Sequence, residues 1–244
     1  MHDNPKPVHE PLIALPGCAV VDLVGADATR FAQAQFMNDI VALSPGCWHW
    51  NGWLTPKGRV ITLFALLKRE ESDLRLLVLD ADDNDLVRAL RRFVFRSKVA
   101  LCVRNDLQIS GQFAAPQLAR GNGLALLEDE EGTELDLGAE GGNRRVVIRA
   151  RDLGAPAHAE QDPRWRAFDL EHGLPRLDPG QAEQWTPQQL SLERLKAFSI
   201  KKGCYPGQEI VARTHFLGKV KRGLALVESS APIAPGASIE QGER

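Results

Sequence analysis

The segment Lys202-Gly203-Cys204-Tyr205-Pro206-Gly207-Gln208-Glu209 places a thiol, an ammonium, a carboxylate, an amide and two glycines within eight consecutive residues. Glycine reaches positive φ without steric cost and proline fixes its own φ, so we expect a sharply bent loop. Such a bend would expose the Cys204 thiol, and Lys202 with the basic residues that follow would favour the reactive thiolate. The same composition suits a structural turn around a buried, inert cysteine, so the loop alone leaves both interpretations open.

The residues before this loop predict a helix from Thr186 to about Lys201. Thr186 and Gln189 form a capping-box pattern with Pro187 at the first helical position. Leu192 and residues 195 and 198 would give the helix one apolar face. The carbonyl end of a helix is the negative end of its dipole, so this arrangement would disfavour a thiolate in the loop and oppose the nearby basic residues.

The residues after the loop predict a β-hairpin. Residues 210–216 and 220–227 alternate between apolar and polar side chains, with a turn at Leu217-Gly218-Lys219. The hairpin would end a short C-terminal segment, because few residues remain after it. We therefore expect a β-rich C-terminal region that is smaller than a complete barrel.

Composition limits the class of protein. The chain has 244 residues, a net charge of −2 and ordinary apolar and charged fractions, so any affinity for nucleic acid must come from a local basic patch. Its four cysteines are far apart in sequence, which argues against a zinc site or a cluster held by this chain alone. Residues 1–11 are predicted to form a flexible tail without a signal-peptide core, and no apolar run is long enough to span a membrane. These features predict a cytoplasmic protein.

The N-terminal two thirds alternate between strand and helix patterns. Asp27 is a suitable N-cap for a helix through residue 36, and a second, amphipathic helix with apolar residues from 86 to 94 follows Asp82 and Asp83. The step Asn51-Gly52 between apolar residues is a hairpin signal. Strands are predicted at 18–24, 60–67, 74–79, 99–103, 124–127, 133–137 and 145–149.

The segment from Lys202 through Arg213 resembles the signature of the YgfZ family of folate-binding proteins, which is related to the aminomethyltransferase (T-protein) of the glycine cleavage system. Residues 25–39, 55–59, 95–99 and 171–175 resemble other blocks of that family. The resemblance implies an α+β fold of the aminomethyltransferase type. It also implies a folate-binding region at 12–185, followed by the signature helix and loop and a short β-rich C-terminal segment at 186–244.

The resemblance further implies a central tunnel that binds tetrahydrofolate or a one-carbon derivative. A pterin needs flat walls and hydrogen-bonding groups, and its glutamate tail needs cations. The folate-binding candidates are Trp165 as a wall, Gln35, Asn38 and Asp39 as polar contacts, and Lys57, Arg59, Arg96 and Lys98 for the tail. Cys204 and Lys202 are the candidates for chemistry, positioned by Gly203, Tyr205, Gly207, Gln208, Glu209 and Arg213. The residues themselves equally allow Trp165 to be an ordinary core or surface tryptophan.

Three positions depart from the family pattern. Thr62 stands where the aminomethyltransferases have their catalytic Asp, and a hydroxyl cannot act as the same acid or base at neutral pH. Ser191 replaces an Asn, and Lys196-Ala197 replace a Gly-Gly pair. Because glycine weakens helices, the last change favours a longer regular helix before the loop.

The resemblance implies a tetrahydrofolate-binding accessory protein that supports iron–sulfur cluster assembly or repair and thereby affects tRNA modification. Its expected partners are folate and iron–sulfur client enzymes, with weak contact to nucleic acid, no membrane and a monomeric state. A first alternative is a folate-dependent aminomethyl transferase, which Thr62 disfavours. A second is a tRNA-binding module whose basic patch comprises Lys201, Lys202, Arg213, Lys219, Lys221 and Arg222.

Overall fold

A computed structural model describes residues 11–15, 17–127, 132–139, 141–151, 163–218, 222–234 and 236–239. The expected tail at 1–11 therefore lies outside the described residues, except for Pro11. The strands are β1 (Ile13–Ala14), β2 (Cys18–Val24), β3 (Cys47–Leu54), β4 (Val60–Glu70), β5 (Asp73–Leu79), β6 (Ala100–Val103), β7 (Leu107–Gln112), β8 (Ala125–Leu126), β9 (Thr133–Asp136) and β10 (Arg145–Ala150). The α-helices are α1 (Ala28–Gln35), α2 (Asp83–Arg91), α3 (Pro163–Glu171) and α4 (Gln208–Leu217).

The strands form two five-stranded antiparallel sheets. One has the order β3-β4-β5-β2-β6 and the other the order β1-β7-β10-β9-β8. Side chains that alternate along the strands fill a core on each face of the first sheet. One face packs on the second sheet and on Trp165, and the other face packs on α1 and α2.

A third apolar cluster carries the C-terminal part of the chain. Leu190, Leu192, Tyr205 and Val211 pack on the ends of β3 and β4, where they meet Leu54 and the strand residues beside it. The segment that contains Cys204 is therefore attached to the first sheet through its own small core. No helix in the described ranges combines the length and apolar character that a membrane span requires.

The N-terminal predictions are largely confirmed. The strand at 18–24 has the predicted bounds, and the strands predicted at 60–67 and 74–79 pair as neighbours. The hairpin predicted at Asn51-Gly52 is wrong, because both residues lie inside β3 and Asn51 is fully buried. The second helix ends at Arg91, several residues earlier than its apolar spacing indicated. Strand β7 and helix α3 were not predicted.

The regular helix predicted from Thr186 to Lys201 is also wrong, although its capping box forms. The Thr186 backbone N–H donates to Gln189 Oε1 at 3.0 Å, and the Gln189 N–H donates to Thr186 Oγ1 at 3.3 Å. The chain then leaves the helical region twice, because Ser191 and Lys196 have φ values of 53° and 50°. Two successive turns result instead of a longer helix. They end at Ser191 and Lys196, the positions where the resemblance implies Asn and Gly.

Each turn closes with a hydrogen bond between residues five apart. Leu192 N–H donates to Pro187 O at 3.0 Å, and Ala197 N–H donates to Leu192 O at 3.1 Å. This is the Schellman arrangement, in which a residue in the left-handed region ends a helical turn. Asn and Gly adopt that region at low cost, whereas Ser and Lys do not.

The hairpin predicted after the loop is wrong as well. Residues 208–217 form α4, which begins after Gly207 in the left-handed region and buries only Val211. In the described parts of the C-terminal region, 222–234 and 236–239, no strand is present. The predicted turn residue Lys219, with residues 220 and 221, lies outside the described residues. An alternating pattern becomes a strand only where an edge is available to pair with it.

Replacing Lys196 by Gly is expected to stabilise the protein. Lys196 is exposed and its side chain pays the steric cost of the left-handed region, about 1–2 kcal/mol. The extra entropy of an unfolded glycine removes part of that gain, which leaves roughly 0.5–1 kcal/mol. Urea denaturation of Lys196→Gly measures the change. Lys201→Gly is the matched control, since Lys201 is exposed and lies outside the left-handed region; it should show no gain. Equal stability of Lys196→Gly and wild type would contradict the prediction.

Candidate functional site

The Lys202 side chain is buried and ties the loop to the first helix. Its ammonium donates to the carbonyl oxygens of Gln33 at 2.6 Å, Phe36 at 2.6 Å and Asn38 at 3.1 Å. These carbonyls belong to the C-terminal end of α1 and the residues just after it, where the helix leaves acceptors unpaired and carries its negative dipole end. All three donors of the ammonium are thus used by the backbone. Burial lowers the pKa of Lys202 to about 8, against the opposing effect of Asp39.

Neighbouring aromatic and imidazole groups complete the surroundings of this ammonium. It lies 4.9 Å from the centroid of the Tyr205 ring, and the Tyr205 hydroxyl donates to Ser199 O at 3.1 Å. Burial raises the pKa of Tyr205 to about 12. Burial also lowers the pKa of His49 to about 4, and the positive charge of Lys202 contributes to that shift. At neutral pH the site therefore holds a neutral phenol and a neutral imidazole around one cation.

Asn38 joins three segments of the chain. Its side-chain amide donates to Trp50 O at 2.9 Å and to Lys196 O at 2.7 Å, and its backbone N–H donates to Asn51 Oδ1 at 3.0 Å. The side-chain oxygen of Asn38 accepts from the Asp39 N–H. These bonds connect the end of α1 to β3 and to the turns before the signature loop.

Two glycines from distant parts of the sequence pack directly on each other. Gly207 has a φ of 81°, and a Cβ atom there would lie 2.6 Å from Gly58 Cα and 2.7 Å from Thr55 O. Gly58 itself has a φ of 68°, and a Cβ atom on it would meet Ile210. Neither position can hold a larger side chain without movement of the backbone. The glycines of the 55–59 block and of the signature loop are thus needed for the same contact.

Cys204 is exposed between the buried Lys202 side chain and the Gly207–Gly58 contact. Lys202, Tyr205 and Gly207 are buried, whereas Gly203 and Cys204 face an open cavity of about 450 Å³. The outer face of α1 forms much of this cavity, and the lining comprises Ala26, Thr29, Arg30, Gln33, Ala34, Val41, Glu71, Gly203 and Cys204. Sequence reasoning missed the α1 contribution, although the spacing of 29, 30, 33 and 34 places these residues on one helix face opposite the buried residues 28, 31 and 32.

The other cysteines have different surroundings. All four are free thiols, but only Cys102 and Cys204 are exposed. Burial raises the pKa of Cys18 to about 11, so that thiol stays protonated. Cys102 lies on β6 and directs its thiol to the carbonyl of Val103. Of the two exposed thiols, Cys204 lines the cavity beside α1.

The structure distributes the folate-binding candidates over several places. Trp165 lies in the core between the sheets, while Gln35, Asn38 and Asp39 lie at the end of α1. Lys98 lies at the other end of α1, where its backbone N–H donates to Asp27 Oδ2 at 2.7 Å. Arg59 donates to Gln184 O and Gln189 Oε1, and the side chains of Lys57 and Arg96 are exposed. Among the remaining loop candidates, Glu209 and Arg213 are exposed on α4 and Gln208 is half-buried at its start.

Trp165 is enclosed by its neighbours. It is 6% exposed, and the Arg144 guanidinium carbon lies 4.5 Å from its ring centroid. Gly111 packs so closely that a Cβ atom there would lie 2.5 Å from the ring. Thr62, where the resemblance implies an Asp in the aminomethyltransferases, is also buried and lies opposite Trp53 in the sheet. Among the described residues, no three His, Cys, Asp or Glu side chains come together as a metal site.

These features define a class of protein: two antiparallel sheets with a glycine-flanked cysteine loop held against the first helix. The crystal structure of glycine cleavage system aminomethyltransferase T from Bartonella henselae has this fold. It matches with a TM-score of 0.63 and 13% identity over 85% of this chain, and this chain spans 63% of that one. No protein-family model matches the chain.

Sequence relatives make the assignment more specific. The tRNA-modifying protein YgfZ of Serratia proteamaculans (strain 568) is 30% identical over 243 residues, which cover 93% of this chain and 73% of the relative. The tRNA-modifying protein YgfZ of Cronobacter sakazakii is 29% identical over 249 aligned residues, and the match covers 94% of this chain and 75% of the relative. An uncharacterized protein of Haemophilus influenzae is 29% identical over 232 aligned residues, and the match covers 93% of this chain and 78% of the relative. The chain belongs to the YgfZ family.

Replacing Gly207 by Ala is expected to release the signature loop. The added methyl group meets the backbone of Thr55 and Gly58 and must adopt a left-handed φ, which together cost roughly 2–4 kcal/mol. Gly203→Ala is the matched control in the same loop, because a Cβ atom there has no neighbour within 4 Å. Its free energy of unfolding should stay within about 0.5 kcal/mol of wild type. Chemical denaturation measures both variants, and similar stabilities for the two would contradict the glycine contact.

Proposed function

We propose that this protein is an accessory factor in tRNA modification that acts through the thiol of Cys204 on iron–sulfur client enzymes. The observation that carries the proposal is the exposure of Cys204 at an open cavity while Lys202, Tyr205 and Gly207 on both sides of it are buried. A loop that is anchored so firmly and yet presents one thiol to solvent suits a reactive cysteine better than a structural one. The relatives named tRNA-modifying protein YgfZ supply the biological context.

The anchoring of the loop supports a role for the thiol itself. Lys202 donates to three backbone carbonyls, so its ammonium holds the loop in place instead of pairing with the thiol. Cys204 is therefore the nucleophile or ligand in this proposal, and Lys202 is a positioning residue. A thiolate ligates iron, and it attacks a disulfide to form a mixed disulfide while the displaced sulfur leaves as a thiol; either reaction would serve contact with an iron–sulfur client. Both need a reducing compartment, so we place the protein in the cytoplasm.

Tetrahydrofolate, or a one-carbon derivative, is the cofactor that the resemblance implies, and we propose that the chain binds it. The candidate residues do not form one folate site in this arrangement. Asn38 uses its amide on backbone groups, and Trp165 is covered by Arg144 and Gly111. Gln35 Oε1 is a buried acceptor without a hydrogen-bond partner, but it is enclosed by protein. Folate binding at Trp165 thus requires displacement of the Arg144 guanidinium.

Loss of the Cys204 thiol is expected to abolish the contribution to tRNA modification. We compare Cys204→Ser with Cys102→Ser, which removes the other exposed thiol, in the protein's own host after deletion of the chromosomal gene. Thiolated tRNA nucleosides made by iron–sulfur enzymes are quantified by mass spectrometry. Wild type and Cys102→Ser should restore them, whereas Cys204→Ser should leave them at the level of the deletion strain. Because both side chains are exposed, neither change should alter stability by more than about 0.5 kcal/mol. Full restoration by Cys204→Ser would refute the role of the thiol.

Titration calorimetry of the full chain with tetrahydrofolate tests the cofactor. We expect saturable binding that Trp165→Phe weakens several-fold, because phenylalanine keeps the packing on Gly111 but offers a smaller ring. Trp48→Phe is the matched control, since Trp48 is a similarly buried member of the same core. Absence of heat with wild type at two temperatures would exclude folate binding, and equal weakening by both variants would exclude Trp165 as its wall.

A further inference from the structure

The turn after α2 is strongly basic and carries exposed aromatic side chains. From Arg88 to Lys98 the chain has five cations and no carboxylate, in a molecule whose net charge is −2. We define the aromatic–basic turn as residues 91–98. Two phenylalanines are interleaved with its cations: Phe95 is 89% exposed and Phe93 is 42% exposed.

Phe95 is held in an unfavourable conformation. Its φ of 42° lies in the left-handed region, which disfavours a bulky side chain, and its apolar ring faces water. The flanking backbone fixes this geometry. Ser97 N–H donates to Val94 O at 2.8 Å, and Lys98 is bound through its N–H and its carbonyl to Asp27. Strain of this kind persists where the surrounding structure enforces it, and it is concentrated at functional positions.

Several cations of the turn are available to a partner. Arg88 pairs with Asp85, and Arg91 donates to the carbonyl of Leu101. Arg92, Arg96 and Lys98 are exposed, and within the part of the chain that the structure describes no carboxylate pairs with their side chains. The surface therefore presents uncompensated positive charge around an exposed ring.

The turn and the Cys204 cavity lie along the same helix. Lys98 contacts Gly25 and Asp27 just before α1. Ala26, Thr29 and Arg30, from the same part of the chain, line the cavity of Cys204. The eight residues of α1 span about 12 Å, which is the length of a few nucleotides. A polymer bound at the turn would therefore reach the cavity within that length. Arg30 lies between the two with its side chain 88% exposed, and its guanidinium is 4.0 Å from the Asp27 carboxylate.

We infer that the aromatic–basic turn is an RNA-binding surface that stacks an unpaired base on Phe95 and holds the adjoining phosphates with Arg92, Arg96 and Lys98. Proteins recognise single-stranded RNA by stacking bases on exposed aromatic rings beside cations that follow the backbone. A single exposed ring between cations on one short turn matches an unpaired base between its two phosphates. The inference rests on the proposed function, and it assigns the contact with RNA to a different surface from the basic residues around Arg213.

Fluorescence anisotropy with a labelled, unstructured 12-nucleotide RNA, at 50 and 200 mM salt, tests this surface in the full chain. Phe95→Ala leaves the charge unchanged and should weaken binding about tenfold, because stacking on one ring is lost. The double variant Arg96→Ala/Lys98→Ala should weaken binding. It should also lower the slope of the binding constant against salt concentration, because two phosphate contacts are lost. Phe216→Ala is the matched control, since Phe216 is another exposed phenylalanine, on α4. It should bind like wild type.

Each other outcome overturns the inference. Equal binding by Phe95→Ala and wild type would show that the cations act alone, and equal weakening by Phe216→Ala would place the RNA elsewhere. Phe95-dependent binding to vesicles containing phosphatidylglycerol, without binding to RNA, would identify a membrane surface instead. Cys204→Ser separates this inference from the proposed function, because it should bind RNA like wild type even though it fails to support tRNA modification. Circular dichroism verifies that every variant is folded.

Discussion

The buried ammonium of Lys202 donates hydrogen bonds to three backbone carbonyls at and just after the end of α1 in place of water. The position of the signature loop depends on these bonds. Removing an ammonium from water is costly unless hydrogen bonds replace its hydration, and here all three donors have partners. The carbonyls of Gln33 and Phe36 are among those that a helix leaves unpaired, so the interaction also satisfies the end of α1. Burial nevertheless lowers the pKa of Lys202 to about 8, so it still disfavours the charged form of this ammonium.

A second anchor acts from the other side of Cys204. Gly207 and Gly58 approach so closely that the loop and the turn at 55–59 fit only without side chains. Between the two anchors, Gly203 and Cys204 remain exposed. The thiol of Cys204 is therefore presented by packing on both sides of it, and the ammonium of Lys202 binds the backbone instead. This division explains how one loop can contain buried and exposed residues in immediate succession.

Helix α1 connects the parts of the molecule that bear on function. Phe31 and its neighbours fill the core beneath the first sheet, and the opposite face forms the wall of the Cys204 cavity. Its C-terminal end receives Lys202, and its N-terminal end receives the turn that carries Phe95. Both ends of α1 therefore contact segments that adjoin the cavity of Cys204. The cavity, the thiol loop and the basic turn form one continuous surface around this helix.

The sequence by itself indicated the family and four of the five strands of the first sheet, because these depend on local patterns and on residue types with few physical uses. It failed where a local pattern was compatible with two structures. The alternation at 210–216 became α4, and the capping box at Thr186 opened a turn that ends at Ser191 instead of a long helix. It also placed Trp165 with Arg96 and Lys98, which the structure separates. Only the tertiary structure decided that Lys202 binds carbonyls, that two glycines 149 positions apart touch, and that Cys204 faces water. Such contacts join residues far apart in the chain, and no periodicity or propensity records which distant groups will meet.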